Sequence, residues 1–214
     1  MVDVFNDKSY WGKILGIAIS SNYLDIVKYI MGFYKKEWIV ELLNEDPYNI
    51  FNHFIRNSID RNNFDCIMWL CSEEYLPTHY IHDKLLKYII KHNNYPLFEK
   101  FIDEGIIEWA SFRSDMNYAM GSIIIYNRLD MLKKLYNMKI LTIEEIMNVN
   151  IRFAFRAIHS QGYFEMLKYL HSIGLTREMI SPEHCFQLFI TGVMYNERDL
   201  GLREKCYNFI LEKY

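Results

Sequence analysis

The sequence predicts an all-α protein, a solenoid of stacked helical hairpins, and three observations carry that expectation. A nine-residue pattern recurs along the chain, its copies start at near-regular intervals, and two glycines fall at one fixed distance past the start of their copies. The pattern first runs from Asn22 through Tyr23-Leu24-Asp25-Ile26-Val27-Lys28-Tyr29 to Ile30. It returns at Asn62–Leu70, Asn127–Leu135 and Gly162–Leu170, with a weaker copy at Asn93–Phe101. Each copy opens on a turn-former and a large apolar residue, usually followed by an acid, then two apolar residues and another three positions on. The turn-formers Asn22, Asn62, Asn93, Asn127 and Gly162 are spaced 40, 31, 34 and 35 residues apart. Periods of this size mark arrays in which each unit buries its apolar face only against its neighbours.

Taken in order, residues 1–12 read as a short lead-in whose Tyr10 and Trp11 cover the first helix pair. About five repeats then occupy 13–180 and a capping pair 181–214, all within one domain spanning 1–214. Upstream of each turn the spacing predicts a first helix. Ile14, Leu15, Ala18 and Ile19 share one face, as do Leu85, Leu86, Ile89 and Ile90. Phe54, Ile55 and Ile59, then Ala119, Met120, Ile123 and Ile124, then Ala154, Phe155 and Ile158 are close variants. Downstream comes a second helix, with Leu24, Val27 and Ile30 on its buried stripe. Gly105 and Gly174 each lie 12 residues past their turn-formers, where a left-handed helix cap needs a residue without a Cβ. Tyr29, Trp69, Tyr169, Lys100 and Lys134 share one position of the second helix. A position that takes both rings and lysines is expected to be half-exposed, its ring or stem lying on the neighbouring copy.

The connectors read as helical turns. Thr142-Ile143-Glu144-Glu145-Ile146 is a capping-box pattern, Thr176-Arg177-Glu178-Met179-Ile180 a looser one, and Leu76-Pro77-Thr78-His79-Tyr80-Ile81 opens a short helix. Ser181-Pro182-Glu183 starts the last pair, with helices near 182–194 and 202–213. Arg203, Glu204, Lys205, Glu212 and Lys213 are expected on the solvated face of the final helix.

The stretch Ala18–Ile30, and the one from Ile158 through Gly162 to Gly174, resemble the helix-turn-helix half of an ankyrin repeat. The Ile-, Tyr- and Asn-rich style resembles the divergent ankyrin-type repeats of large DNA viruses. The likeness covers most of residues 11–180. Where that family has Thr-Pro-Leu-His, this chain has Lys13-Ile14-Leu15-Gly16 and Lys84-Leu85-Leu86-Lys87. The resemblance implies binding through a concave side built from connector tips and the exposed ends of the first helices.

Composition narrows the chemistry. Hydrophobic residues at 51% and aromatics at 16% are ample for a core. A net charge of −3 and a pI near 6.2 argue against a nucleic-acid partner or an anionic membrane surface. No stretch reaches the roughly 18 uninterrupted apolar residues of a membrane span, and Met1–Lys8 lacks the pattern of a secretory leader. The cysteines Cys66, Cys71, Cys185 and Cys206 read as reduced core residues, so a cytoplasmic location is expected, in a host cell if the source is viral.

No metal site is expected. Cys66-x4-Cys71 followed by His79-x2-His82 has the residue types, but five residues on one helix turn through about 500°, leaving the thiols on different sides. Cys66 also occupies the Ile26 position of the repeat, which reads as core. No catalytic site is expected either. The adjacent His184 and Cys185 diverge by about 100° on a helix, and no local orienting group or oxyanion site accompanies them. The glycines are isolated, Met120-Gly121-Ser122 lying inside a helix, so no phosphate cradle and no cofactor is implied. The pairs Glu73-Glu74, Asp103-Glu104 and Glu144-Glu145 read as solvated or dipole-complementing helix ends.

The functional expectation is a non-enzymatic scaffold that binds a partner protein, a host factor if the source is viral. By register, the residues just before each turn-former are Ser20-Ser21, Asp60-Arg61, Lys91-His92, Ile125-Tyr126 and Ser160-Gln161. The candidate partner-binding residues are Asp60, Arg61, Lys91, His92, Ile125, Tyr126, Ser160 and Gln161, together with the connector residue Trp109. Ile125-Tyr126 is the expected apolar anchor. The alternatives are a small-ligand or nucleotide site lined by His92 and Tyr126, and a nucleic-acid surface of Lys and Tyr.

Overall fold

The computed structural model describes residues 8–34, 36–37, 50–76, 81–107, 116–142, 145–146, 163–176 and 200–213, and divides into two compact units, Met1–Glu108 and Trp109–Tyr214. The described residues form ten α-helices and one π-helical turn, with no strand among them. The first unit holds α1 (Lys8–Ser20), α2 (Leu24–Met31), α3 (Ile50–Asp60), α4 (Asp65–Ser72), the π turn Ile81–Leu86 running into α5 (Lys87–Lys91), and α6 (Tyr95–Asp103). The second holds α7 (Met116–Ile125), α8 (Leu129–Asn137), α9 (Phe164–Ser172) and α10 (Leu200–Lys213). Trp38, the segment 150–160, Gly162 and the expected helix at 182–194 lie outside the described residues.

The turn-formers do what the sequence asks of them. Asn22, Asn62, Asn93 and Asn127 all adopt the left-handed conformation, φ 59°, 58°, 57° and 56°. Asparagine tolerates that region better than other L-residues with a side chain. Each closes its first helix with the same pair of bonds. In the first copy, the N–H of Tyr23 donates to the carbonyl of Ala18 (2.9 Å) and that of Asn22 to Ile19 (3.0 Å). The pairs Asn63→Ser58 with Asn62→Ile59, Asn94→Ile89 with Asn93→Ile90, and Arg128→Ile123 with Asn127→Ile124 repeat it. These are Schellman closures, which satisfy carbonyls that a helix end would otherwise leave bare.

The second helices close in the same way 12 residues past each turn-former. Gly105 (φ 66°) and Gly174 (φ 115°) take the left-handed position as expected, but so do Glu74 (φ 56°) and Lys139 (φ 57°). Position in the repeat, and not glycine alone, dictates the conformation. The first copy differs: α2 runs out through Gly32 in right-handed geometry, with Tyr34 at the equivalent offset. Because a side chain in this region carries steric strain, Glu74→Gly is expected to stabilise the first unit by about 0.5–1 kcal/mol in urea unfolding.

Within each unit, neighbouring copies are tied together from one repeat position, on a carbonyl two or three residues before the preceding turn-former. The residue just after a turn-former donates its side chain to the end of the preceding first helix. Asn63 Nδ2 reaches Ser20 O (3.3 Å), Asn94 Nδ2 reaches Ile59 O (2.9 Å), and the Tyr163 hydroxyl reaches Ile125 O (3.1 Å). On the second helices, a lysine six residues past one turn-former lies over the ring seven past the next. Lys28 Nζ is 5.7 Å from the Trp69 ring centre and Lys133 Nζ 5.7 Å from that of Tyr169. Trp69, Tyr169 and Lys134 are half-buried, as the mixed ring-and-lysine position predicts, whereas Lys100 and Tyr29 at the same position are exposed. Gly16 allows α1 to approach α3, since a Cβ there would sit 1.9 Å from the Phe54 ring.

The core follows the two stripes. Leu15, Ile55, Leu86 and Met120 are buried from the first helices; Val27, Ile67, Phe98, Leu132 and Leu167 are buried from the second. Four expectations need correction. The expected lead-in is not separate, because α1 runs unbroken from Lys8, with Trp11 against Tyr34 (5.9 Å between ring centres) and Tyr10 exposed. Arg203 is only 3% exposed, because it shares the i, i+3, i+7 stripe of α10 with Cys206 and Ile210. Glu73, Asp103 and Glu104 sit at the C-terminal ends of α4 and α6, where the helix dipole disfavours a carboxylate. Solvation, not dipole complementarity, accounts for them. The box at Thr142 does close reciprocally: Glu145 N–H donates to Thr142 Oγ1 (3.2 Å) and Thr142 N–H to Glu145 Oε2 (2.9 Å).

The fourth correction concerns the repeat position shared by Ile26 and Cys66. Cys66, Leu97, Met131 and Met166 are fully buried there, whereas Ile26 is 47% exposed. In the second copy the backbone N–H at this position donates to Asn22 Oδ1 of the copy before it, and no described copy precedes the first. Tyr29 (69%) and Phe33 (67%) are open on the same helix. Ile26→Ala is therefore expected to change unfolding free energy by less than about 0.5 kcal/mol, against about 2–5 for Leu97→Ala, when both are followed by urea denaturation.

Candidate interaction surface

The buried stripe of each first helix leaves its opposite side open. Residues seven, four and three before each turn-former pack inward, so those six, five, two and one before it share the other face. In α3 and α5 this face carries Arg56, Asp60 and Arg61, then Lys87, Tyr88, Lys91 and His92. Four of the expected partner-binding residues, Asp60, Arg61, Lys91 and His92, are thus exposed in the first unit. Ile125 (42% exposed) and Tyr126 are exposed at the matching positions of the second. His92 and Tyr126, the two residues named for a ligand site, fall in different units. Trp109, Ser160 and Gln161 lie outside the described residues. Ser20 departs from the expected open strip: it is buried, because Asn63 of the next copy docks on its carbonyl.

Sequence reasoning missed the two side chains that organise the first-unit face. Tyr88 stacks on His92 (ring centres 4.0 Å apart, planes at 24°), and the Arg56 guanidinium lies 5.3 Å from the Tyr88 ring centre. The Tyr88 hydroxyl is within hydrogen-bond reach of both oxygens of Asp60, at 3.0 and 3.1 Å. Helical spacing carried the signal, since Arg56 and Tyr88 lie four residues before Asp60 and His92 and so share their faces. Burial raises the Tyr88 phenol above its ordinary value of 10, and the Asp60 bond and charge add to this against the opposing Arg56 charge. The phenol therefore stays protonated near neutrality as the donor that ties α5 to α3. In the second unit, the Arg128 guanidinium lies 5.9 Å from the Tyr126 ring centre, and Ile125 contributes its carbonyl to Tyr163.

The three described thiols lie elsewhere, and Cys185 is outside the described residues. Cys66 and Cys71 are buried on α4, and Cys206 on α10. Burial, then Asp65, pushes Cys66 up to about 11; burial, then Glu104, pushes Cys71 up to about 12; burial raises Cys206 to about 11. A thiol held protonated is a poor nucleophile and a poor metal ligand. Among the described residues no three His, Cys, Asp or Glu side chains converge as metal ligands. His79 and the side chain of His82 lie outside that description.

These thiols are expected to react with a disulfide reagent only on unfolding, at pH 8, in a native-against-urea thiol titration. Their folded pKa values lie above the unfolded value of 9.0. Their contribution to stability is therefore fully present below pH 9 and is lost as pH rises from there to between 11 and 12.

No protein-family model, curated protein or solved structure matches the chain. None of the described helices is long and apolar enough to cross a membrane. The functional reading therefore rests on the surface itself.

Proposed function

We propose that the chain is a non-enzymatic scaffold that binds a partner protein through the open face of its first helices. In this reading the copies form an ankyrin-like stack, as the repeat period and the turn asparagines suggest. The observation that carries it is the repeated junction. At three junctions, each within one unit, the residue just after the turn-former (Asn63, Asn94 or Tyr163) holds the preceding first helix by its last turn, so neighbouring open faces inside a unit are kept in register without any ligand. A surface held ready in this way loses little conformational entropy on docking. Ile125 and Tyr126 supply exposed apolar area in the second unit, and the Tyr88–His92 stack supplies a rigid aromatic platform in the first.

Affinity capture from the native cell tests this with two sets of variants. Arg61→Ala, Lys91→Ala and Tyr126→Ala change the open faces of the first helices. Asp25→Ala, Glu73→Ala and Lys168→Ala change the second helices. A partner, verified with both proteins purified, should be lost with the first set and retained with the second. A partner sensitive only to the second set would sink the proposal. So would a melting temperature raised by a member of a nucleotide panel with no protein partner found.

A further inference from the structure

The second and third copies of the repeat are charge-segregated between their first and second helices. Among the described residues of the α3 and α5 open face, Arg56, Arg61, Lys87 and Lys91 stand against one carboxylate, Asp60, which Tyr88 engages through its hydroxyl. The second helices α4 and α6, with their C-terminal turns, reverse the sign. They carry Asp65, Glu73, Glu74, Glu99, Asp103 and Glu104 and one lysine, Lys100, with Lys36 of the preceding copy paired to Glu74 at 3.3 Å. A formal net charge of −3 for the whole chain conceals this division. The dipole does not explain the acidic layer, since four of its six carboxylates sit at or just past helix C-termini.

We infer that the α3–α5 face docks an acidic peptide segment of a partner protein. The inference rests on the scaffold reading and names the partner's chemistry. The dimensions favour a peptide. Arg56 and Arg61 are separated by about 7.5 Å along the helix axis, and packed helices lie about 8–10 Å apart. An extended peptide rising about 3.3 Å per residue crosses such a patch in three or four residues. A duplex carries one charge per about 1.7 Å of axis and would run beyond a patch of this length. Guanidinium forks at Arg56 and Arg61 match carboxylates in geometry, and Lys87 and Lys91 add point charges. The Tyr88 ring, with His92 stacked on it and the Arg56 guanidinium 5.3 Å from its centre, holds that fork in place.

Fluorescence anisotropy of a labelled hexaglutamate peptide, titrated with the full chain at low salt, tests it. Arg61→Glu with Lys91→Glu should weaken binding about tenfold or more. Lys205→Glu with Lys213→Glu makes the same change in net charge on α10 and should leave binding within about twofold. The milder pair Arg61→Gln with Lys91→Gln should give an intermediate loss, with circular dichroism verifying that each variant is folded. Equal losses from the two charge reversals would reduce the effect to net charge and overturn the inference. Tighter binding of a labelled single-stranded oligonucleotide, abolished by the same α3–α5 variants, would overturn it in favour of nucleic acid. A captured protein partner that depends on Tyr126 yet ignores the Arg61 and Lys91 reversal would overturn it while leaving the scaffold reading intact.

Discussion

Replacing Phe101 by Ala is expected to cost about 3–5 kcal/mol, a large part of the 5–15 kcal/mol that holds a domain-sized unit together. Phe101 is fully buried on α6, eight residues past its turn-former, where Ile30, Leu70, Leu135 and Leu170 are buried in the other copies. Truncation removes most of an aromatic side chain from a packed interior that can collapse only partly around the void. Urea unfolding followed by circular dichroism measures it, with Phe33→Ala as the control. Phe33 is exposed on α2, and its loss should fall within about 0.5 kcal/mol. A cost below about 1 kcal/mol for Phe101→Ala would mean that this repeat position is not part of a close-packed interior.

Asn22→Val should cost about 2–3 kcal/mol, through two effects that a second substitution separates. The backbone at Asn22 is left-handed, a conformation in which a β-branched residue is strained. Its side chain also reaches the next copy: Nδ2 donates to Asp65 Oδ2 (2.9 Å) and Oδ1 accepts from the Cys66 N–H (3.2 Å). Asn22 thus caps the start of α4 from another copy, a role usually filled by the residue just before the helix, here Phe64, whose side chain makes no such bond. Asn22→Gly keeps the backbone conformation and removes only the cap, so it should cost about 1 kcal/mol. Equal costs for Val and Gly would show that backbone strain contributes nothing. A Gly variant as stable as the parent would show that the cap contributes nothing.

This side chain also marks how far the sequence could be read. Asn22 was legible as a turn-former because its residue type and spacing are local properties. Its bond to Asp65, 43 residues away, was not, because nothing in the local pattern of either residue demands the other. The same division separates Gly105 from Glu74. Glycine announces a left-handed cap by its chemistry, whereas Glu74 is driven into one by the Schellman bonds of Cys71 and Leu70. Arg203 reads as solvated by type and is buried by its place on the α10 stripe. At the candidate surface, Asp60, Arg61, Lys91 and His92 could be placed by counting back from the turns. Helical spacing puts Tyr88 and Arg56 on those same faces but gives them no more weight than their neighbours, because their importance lies in a contact between α5 and α3.

By itself the sequence determined the all-helical class, the positions of the turns and the two faces of most helices. Those properties follow from short-range sterics and from apolar spacing at the helical period. Only the tertiary structure decided which copy's side chain closes on which carbonyl, which end of the repeat is left open at Ile26, and how charge divides between the helix layers. Each of these depends on residues tens of positions apart being brought within a few ångströms, and hydrogen bonds and charges are selective only at that range.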